Sequence, residues 1–184
     1  MTGLITALLF LAGCVVTSIY PYYTEKDLIF DPALLGKWVE IGAASQPAAY
    51  AQIEQSGKKG YWATIFGADG TNSVELHLFR LKQQLFLDSC STNRSLDTVP
   101  VHQVSKIMEI EPVLKTANLN YGWLVKLLEK NPKAIRHTVL HNPGEVRGGR
   151  IVLTADTKEL QRFLLKYLNN TNAWNPLSEF KHPD

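Results

Sequence analysis

The chain has 184 residues, 45% of them hydrophobic and 20% charged, a composition typical of one folded domain with a sizeable core. Its formal net charge of +2 argues against a protein dedicated to nucleic acids, which needs a strongly basic face. The cysteines are Cys14 and Cys90, so the fold does not depend on a framework of disulfide bonds.

The first segment has the pattern of an export signal. Residues 4–12 are an apolar run of the length of a signal peptide's hydrophobic region, and Leu11-Ala12-Gly13-Cys14 ends it. Small residues before the cysteine let a peptidase approach the backbone, and the Cys14 thiol is the nucleophile that takes up a diacylglycerol group. This stretch resembles the lipobox of bacterial lipoproteins, which implies a signal peptide over residues 1–13 and a lipid on Cys14.

An uncleaved membrane anchor is the alternative, because no Lys or Arg precedes the apolar run and apolar residues continue to Ile19. Residues 14–27 are interpreted as the lipidated N-terminus and a tether, and residues 28–184 as a single barrel-like domain. The resemblance implies a place in the cell envelope, anchored to the membrane by lipid. Val15 is not the Asp that often retains lipoproteins in the inner membrane, so the outer membrane is expected in a host with two.

From residue 37 the chain consists of short segments separated by turn signals, which is typical of an all-β domain. Glycine-containing turns are predicted at 56–60 and 67–70, since glycine adopts positive φ without steric cost. Val74, Leu76 and Leu78 alternate with other side chains, as in a half-buried strand. Strands are predicted at residues 37–42, 48–55, 61–66, 73–82, 84–88, 99–108 and 112–116.

Two helices are predicted in the second half of the chain. Three leucines share one face of a helix over residues 121–130, which the following Asn-Pro pair ends. Asp156 with Glu159 three residues later is a helix-start signal, and an apolar stripe then predicts a helix over residues 158–168. A further hairpin is predicted from residues 136–141 and 150–154.

Sequential antiparallel strands favour a mainly β fold with two helices: an up-and-down meander closes into a small barrel, and the late helix packs on it. Residues 30–41, which contain Gly36-Lys37-Trp38, resemble the opening of a bacterial lipocalin. In that calycin-type family a short 3₁₀ turn leads into Gly-x-Trp on the first strand. The resemblance implies that Gly36 permits close backbone packing and that Trp38 plugs one end of the barrel.

The sequence offers no recognisable catalytic motif, so no catalytic residue, metal or cofactor is assigned. No serine stands in a Gly-x-Ser-x-Gly context. His137 and His141 are four residues apart, but no third metal ligand follows at a useful spacing, so a surface pair is favoured. An enzyme would need groups such as His102, Glu109 and His137 to converge, and the protein is not expected to be one.

We therefore expect a non-enzymatic cell-envelope lipoprotein whose barrel binds a small apolar molecule or lipid. The candidate ligand-binding aromatics are Tyr50, Trp62, Phe79 and Phe86. The alternative is a structural or interaction lipoprotein, with a packed barrel that docks an envelope protein. A basic C-terminal part, with 11 Lys or Arg against 6 Asp or Glu from residue 112 onward, and an exposed Trp174 would serve that role.

Replacing the cysteine tests the anchor. Cys14→Ser removes the thiol that accepts the lipid, so acyl transfer and the signal cleavage that follows it should both stop. The unmodified chain should label with a fatty-acid analogue and partition with membranes, while the variant should run larger on a gel and stay unlabelled. A variant still processed to the same size and still labelled would rule out the lipoprotein assignment. If both forms stay uncleaved, unlabelled and membrane-bound, the uncleaved anchor is correct.

Overall fold

The computed structural model describes residues 15–42, 49–67, 70–91, 99–140 and 150–183. Within these ranges the chain forms short strands, two α-helices and two 3₁₀ turns. The strands are β1 (Thr17–Ser18), β2 (Gly36–Glu40), β3 (Tyr50–Ser56), β4 (Gly60–Gly67), β5 (Gly70–Leu81), β6 (Gln84–Ser91), β7 (His102–Glu109), β8 (Leu114–Asn118), β9 (His137–Leu140), β10 (Arg150–Leu153) and β11 (Ser178–Lys181). The helices are α1 (Tyr121–Lys130) and α2 (Thr157–Lys166), and the 3₁₀ turns are Pro32–Leu34 and Thr171–Ala173.

Eight strands form a closed antiparallel barrel. Strands β2 to β8 follow one another around the ring, each hydrogen-bonded to the next. Strand β11 then pairs with both β8 and β2, so that Phe180 stands opposite Leu114 on one side and Glu40 on the other. The predicted closed meander is therefore confirmed, although its last strand was not predicted. Closure leaves the eight barrel strands with no unpaired edge.

A second layer covers one side of the barrel. Strand β1 pairs with β7, β10 runs parallel to β1, and β9 pairs antiparallel with β10. Helix α2 begins as predicted, because the Asp156 carboxylate accepts from the Glu159 backbone N–H at 2.9 Å. Its apolar stripe packs on the barrel through Leu160, Phe163 and Leu164. No helix in the described part of the chain is long and apolar enough to cross a bilayer.

The alternation of side chains along the strands produces two separate cores. On β5, Val74, Leu76 and Leu78 point into the barrel, whereas Phe79 and Leu81 point outward against the second layer. The inner core fills the ring, and the outer core joins the ring to the helices and to β1 and β10. The strand periodicity therefore fixes both the inside of the barrel and the surface on which the second layer packs.

The interpretation of residues 14–27 as a tether is wrong for the part that the structure describes. Val16 and Tyr22 belong to the outer core and are at most 2% exposed, and β1 is buried between β7 and β10. The Thr157 hydroxyl donates to the Pro21 carbonyl at 2.8 Å, which ties the same segment to α2. The short apolar stretch of β1 directly follows the predicted signal peptide and has a similar composition. The sequence therefore did not show that this stretch belongs to the folded domain. Cys14 lies outside the described residues.

The expectation of an exposed Trp174 is also wrong. Its side chain is 6% exposed and packs in the outer core, with its ring centroid 6.1 Å from that of Phe86. The indole Nε1 donates to the Tyr167 carbonyl at 3.2 Å, so the polar atom of the ring is satisfied. The 3₁₀ turn before it returns the chain to the barrel, where β11 follows.

Shortening the N-terminus tests the integration of β1. A chain that starts at Tyr20 lacks the buried Val16 and both β1 pairings, whereas one that starts at Val15 keeps them. We expect the shorter chain to lose at least about 2 kcal/mol of unfolding free energy, because burial of one valine alone contributes about that much. Urea unfolding followed by circular dichroism measures the difference. Equal midpoints for the two chains would restore the tether interpretation.

Candidate ligand-binding site

One end of the barrel is closed by packed side chains. The 3₁₀ turn before β2 places Leu34 in the inner core, and Trp38 Nε1 donates to the Leu34 carbonyl at 2.9 Å. The Tyr61 hydroxyl accepts from the Asp31 backbone N–H at 2.6 Å, which ties β4 to the same turn. Leu34, Trp38 and Tyr61 are at most 1% exposed. The 3₁₀ turn and the buried tryptophan expected for this segment are therefore both present.

Gly36 begins β2 at the same end, with φ at +108°, in the region that favours glycine. A Cβ atom at this position would lie 3.3 Å from Cε1 of His182. His182 in turn has its Nδ1 atom 2.9 Å from the Lys37 carbonyl oxygen. A side chain at position 36 would thus crowd the His182 ring, which belongs to the segment after β11.

Side chains on the inner wall become slightly less buried toward the opposite end. Along β4 the exposed fraction rises from 0% at Tyr61 to 7% at Ile65. Along β7 it rises from 2% at Ile107 to 7% at Ser105, and Gln103 beyond it is half-buried. The inner wall is therefore packed most tightly at the Trp38 end and less tightly at the other. We call this less tightly packed half the open half of the barrel, and its interior the recess.

The wall of this open half has two chemically different sides. Its apolar side lies on β3, β4 and β5 and consists of Ala51, Ile65, Val74 and Leu76. Its polar side lies on the neighbouring strands β6, β7, β8 and β11, in the same inward register, and consists of Ser89, Gln103, Ser105, Thr116, Asn118 and Ser178. A small molecule in the recess would face hydrocarbon on one side and hydroxyl and amide groups on the other.

Several side chains on the polar side form no hydrogen bond with the part of the chain that the structure describes. The Ser105 hydroxyl donates to Asn118 Oδ1 at 2.6 Å. The side chains of Ser89, Gln103, Thr116 and Ser178 make no hydrogen bond to another residue in the described ranges. None of these four side chains has a fully buried polar atom without a partner, so water or a small ligand can reach these groups.

Glu40 adds an ionisable group to the same recess. It lies two residues after Trp38, on the same face of β2, and stands opposite the inward-facing Phe180. Burial raises the pKa of the Glu40 carboxyl above its ordinary value, because the recess solvates the charged form less well than water does. The carboxyl therefore keeps its proton, and can donate a hydrogen bond, to a higher pH than an exposed glutamate.

The four aromatics predicted to bind ligand all lie on the outer face of the barrel. Tyr50 stacks on Phe66, with the Lys37 ammonium 3.9 Å from its ring centroid, and Trp62 is 36% exposed. Phe79 and Phe86 pack together in the outer core, with ring centroids 5.4 Å apart. None of these four lines the recess. The sequence analysis selected the largest apolar side chains and overlooked Ser89 and Ser105, which point into the barrel as Leu85 and Leu87 do.

A buried polar group on the outer wall joins β6, β7 and the N-terminal segment. Asp88 is 0% exposed, its Oδ1 atom lies 2.8 Å from His102 Nδ1, and its Oδ2 atom accepts from the Tyr22 backbone N–H at 3.1 Å. Burial, and then the charge of Asp88, raise the pKa of the Tyr22 hydroxyl. Cys90, which is 8% exposed, stands opposite His102 on the adjacent strand. Asp88 thus binds both His102 and the backbone of the N-terminal segment, which gives this carboxyl a structural role.

In the described part of the chain, His102, Glu109 and His137 each have a different partner. His102 pairs with Asp88, whereas Glu109 forms an ion pair with Lys115 at 2.7 Å. His137 Nδ1 lies 3.0 Å from the Ile135 carbonyl oxygen, and His141 lies outside the described residues. Where side chains are described, no group of three His, Cys, Asp or Glu residues could hold a metal ion.

Comparisons of the chain with protein-family models, with curated protein sequences and with solved structures returned no match. The similarity of residues 30–41 to bacterial lipocalins and of residues 11–14 to the lipobox therefore stays a prediction from sequence.

Removing the buried carboxylate tests its structural role. Asp88→Ala leaves the Tyr22 N–H and the His102 ring without their acceptor in a buried place, so we expect a loss of about 2–4 kcal/mol of unfolding free energy. Glu54→Ala is the matched control, since Glu54 is an exposed carboxylate on β3, and it should change stability by less than about 0.5 kcal/mol. Equal effects in urea unfolding would show that Asp88 does not hold the N-terminal segment.

Proposed function

We propose that this protein is a lipid-anchored cell-envelope protein whose barrel binds one small amphipathic molecule in its open half. The observation that carries the proposal is the two-sided inner wall. It is apolar on β3 to β5, and on β6 to β8 and β11 it carries serine, threonine and amide side chains, most of them without a hydrogen-bond partner among the described residues. An eight-stranded barrel has room for side chains or for one small ligand. Because half of this interior is filled by side chains, the ligand must be small.

The two sides of the recess contribute differently to binding. Apolar contacts with the wall around Ile65 and Leu76 supply affinity, at roughly 25 cal/mol for each Å² removed from water. The hydroxyl of Thr116 and the amide of Gln103 fix the orientation of the ligand, and they discriminate against molecules without matching polar groups. The carboxyl of Glu40 accepts or donates, depending on its protonation state. Binding without chemical conversion is the function that this set supports.

The membrane anchor in this proposal rests on the sequence. The stretch Leu11-Ala12-Gly13-Cys14 supports lipidation of the cysteine, and the acyl chains would hold the protein at a membrane of the cell envelope. The ligand would then be a molecule present in that compartment.

The second candidate is an interaction lipoprotein whose barrel is a solid scaffold for a partner. Its supporting observation is the closed half of the barrel, in which Leu34, Trp38 and Tyr61 leave no surface open to solvent. If side chains fill the open half as they fill the closed half, the functional surface must lie outside the ring. The two candidate functions predict different effects on ligand affinity and stability when a bulky side chain is placed in the open half.

Filling the recess separates these candidates. Ala51 points inward in the open half, so Ala51→Phe should occupy the space and lower ligand affinity by at least about tenfold, a loss of about 1.4 kcal/mol. Gln52→Phe places the same ring on the outer face of the same strand and should leave affinity unchanged. Native mass spectrometry and solvent extraction of the protein purified from producing cells would identify and quantify the bound molecule.

Stability of the same variants gives a second readout. In an open recess the Ala51→Phe ring enters space already present, so the unfolding free energy should change by less than about 1 kcal/mol. In a filled barrel the same ring overpacks the core and should cost about 1–3 kcal/mol or more. A protein that carries no small molecule and is destabilised by Ala51→Phe alone would exclude ligand binding in the barrel and favour the scaffold.

A further inference from the structure

The N-terminal segment leaves almost no slack between a lipid on Cys14 and the folded domain. Val15 already forms a β-bridge with Asn120, and Val16 after it is 2% exposed. The Ile19 N–H donates to the Leu153 carbonyl at 3.1 Å, and the Gln161 amide donates to the Tyr22 carbonyl at 3.1 Å. Consecutive Cα atoms lie about 3.8 Å apart, so a residue directly before Val15 starts that far from a Cα atom held by the fold. A lipid attached there would hold the adjacent protein surface against the bilayer.

The surface next to Val15 is the end of the β1–β10–β9 sheet. Thr17 pairs with Val152 in parallel register, and Val15 and Arg150 each stand two residues before that pair. Arg150 in turn stands directly opposite Leu140 on β9. The chain therefore enters the domain beside the end at which β9 finishes and β10 begins.

This end of the sheet combines exposed apolar side chains with a cation. Leu140 is 53% exposed, Val139 is 40% exposed, and Arg150 is exposed as well. Consecutive strand residues point to opposite faces, so Val139 and Leu140 give β9 one exposed apolar side chain on each face. In the sheet that the structure describes β9 pairs on one side with β10, and its polar backbone edge limits insertion to the headgroup zone.

We propose that Val139, Leu140 and Arg150 form a membrane-contacting surface that holds the domain in one orientation on the bilayer. The two apolar side chains enter the headgroup zone, and the Arg150 guanidinium pairs with lipid phosphates. This surface rests on the lipid anchor of the proposed function and is independent of what the barrel binds. It also places the open end of the barrel near the membrane, because Asn120, the partner of Val15, lies two residues after Asn118 on the recess wall.

Fluorescence quenching tests the contact. An environment-sensitive fluorescent amino acid is introduced at position 140 by stop-codon suppression. The control carries the same amino acid at position 62, which is also exposed but lies on β4, three strands around the ring from β7. The acylated full-length product is reconstituted into phosphatidylcholine vesicles with and without phosphatidylglycerol, containing lipids with a nitroxide at the headgroup. We expect quenching several-fold stronger at 140 than at 62. Arg150→Glu should weaken it where phosphatidylglycerol is present, and less in phosphatidylcholine alone.

The outcomes separate this surface from the anchor. Equal quenching at both positions in a chain that mass spectrometry shows to be acylated would overturn the surface and leave the anchor intact. A chain that carries no acyl group would overturn the anchor and the surface with it. A photo-crosslinker at position 140 in intact cells should give lipid adducts, and a single protein adduct instead would assign β9 to strand pairing with a partner protein.

Discussion

The buried carboxylate of Asp88 is the interaction on which the arrangement of the outer layer depends. It binds His102 on the neighbouring strand and the backbone N–H of Tyr22, so two barrel strands and the N-terminal segment meet at one group without exposed surface. A buried charge that loses its partners costs several kcal/mol, so the fold strongly favours the conformation in which all three are present. The position of residue 22 in turn determines where the chain before it runs, along β7 and β10 toward Val15.

The sequence predicted the regular part of the fold because that part is encoded locally. Strands β2 to β8 show alternation and turn residues, and α2 has its own capping residue at Asp156, so each element could be located without its neighbours. Strands β1 and β11 could not be found in this way. Each is at most four residues long, and each exists only because distant strands bind it on both sides. Local pattern contains no information about such pairings.

The candidate site was predicted less well than the fold for a similar reason. A serine on a strand is usually taken to face solvent, so the sequence did not mark Ser89 and Ser105 as site residues. Each stands two positions from an inward-facing residue, Leu87 or Ile107, and therefore also points into the barrel. Large aromatics attract attention as ligand contacts, yet Phe79 and Phe86 are used to pack a second layer that the sequence did not place. Which face of a strand is inside depends on the register of the whole ring, and register is a property of the folded chain.

Closure of the ring by β11 has a consequence for the order in which the protein folds. Phe180 pairs with Glu40, 140 positions earlier in the chain, so the last contact that seals the barrel is also among the most distant in sequence. Such long-range pairing slows folding, since the entropy of closing the chain is lost before the contact contributes. Strands β2 and β8 therefore stay unpaired on one side until residues 178–181 bind between them. A chaperone that protects this chain would be needed at those two edges until β11 has paired with both.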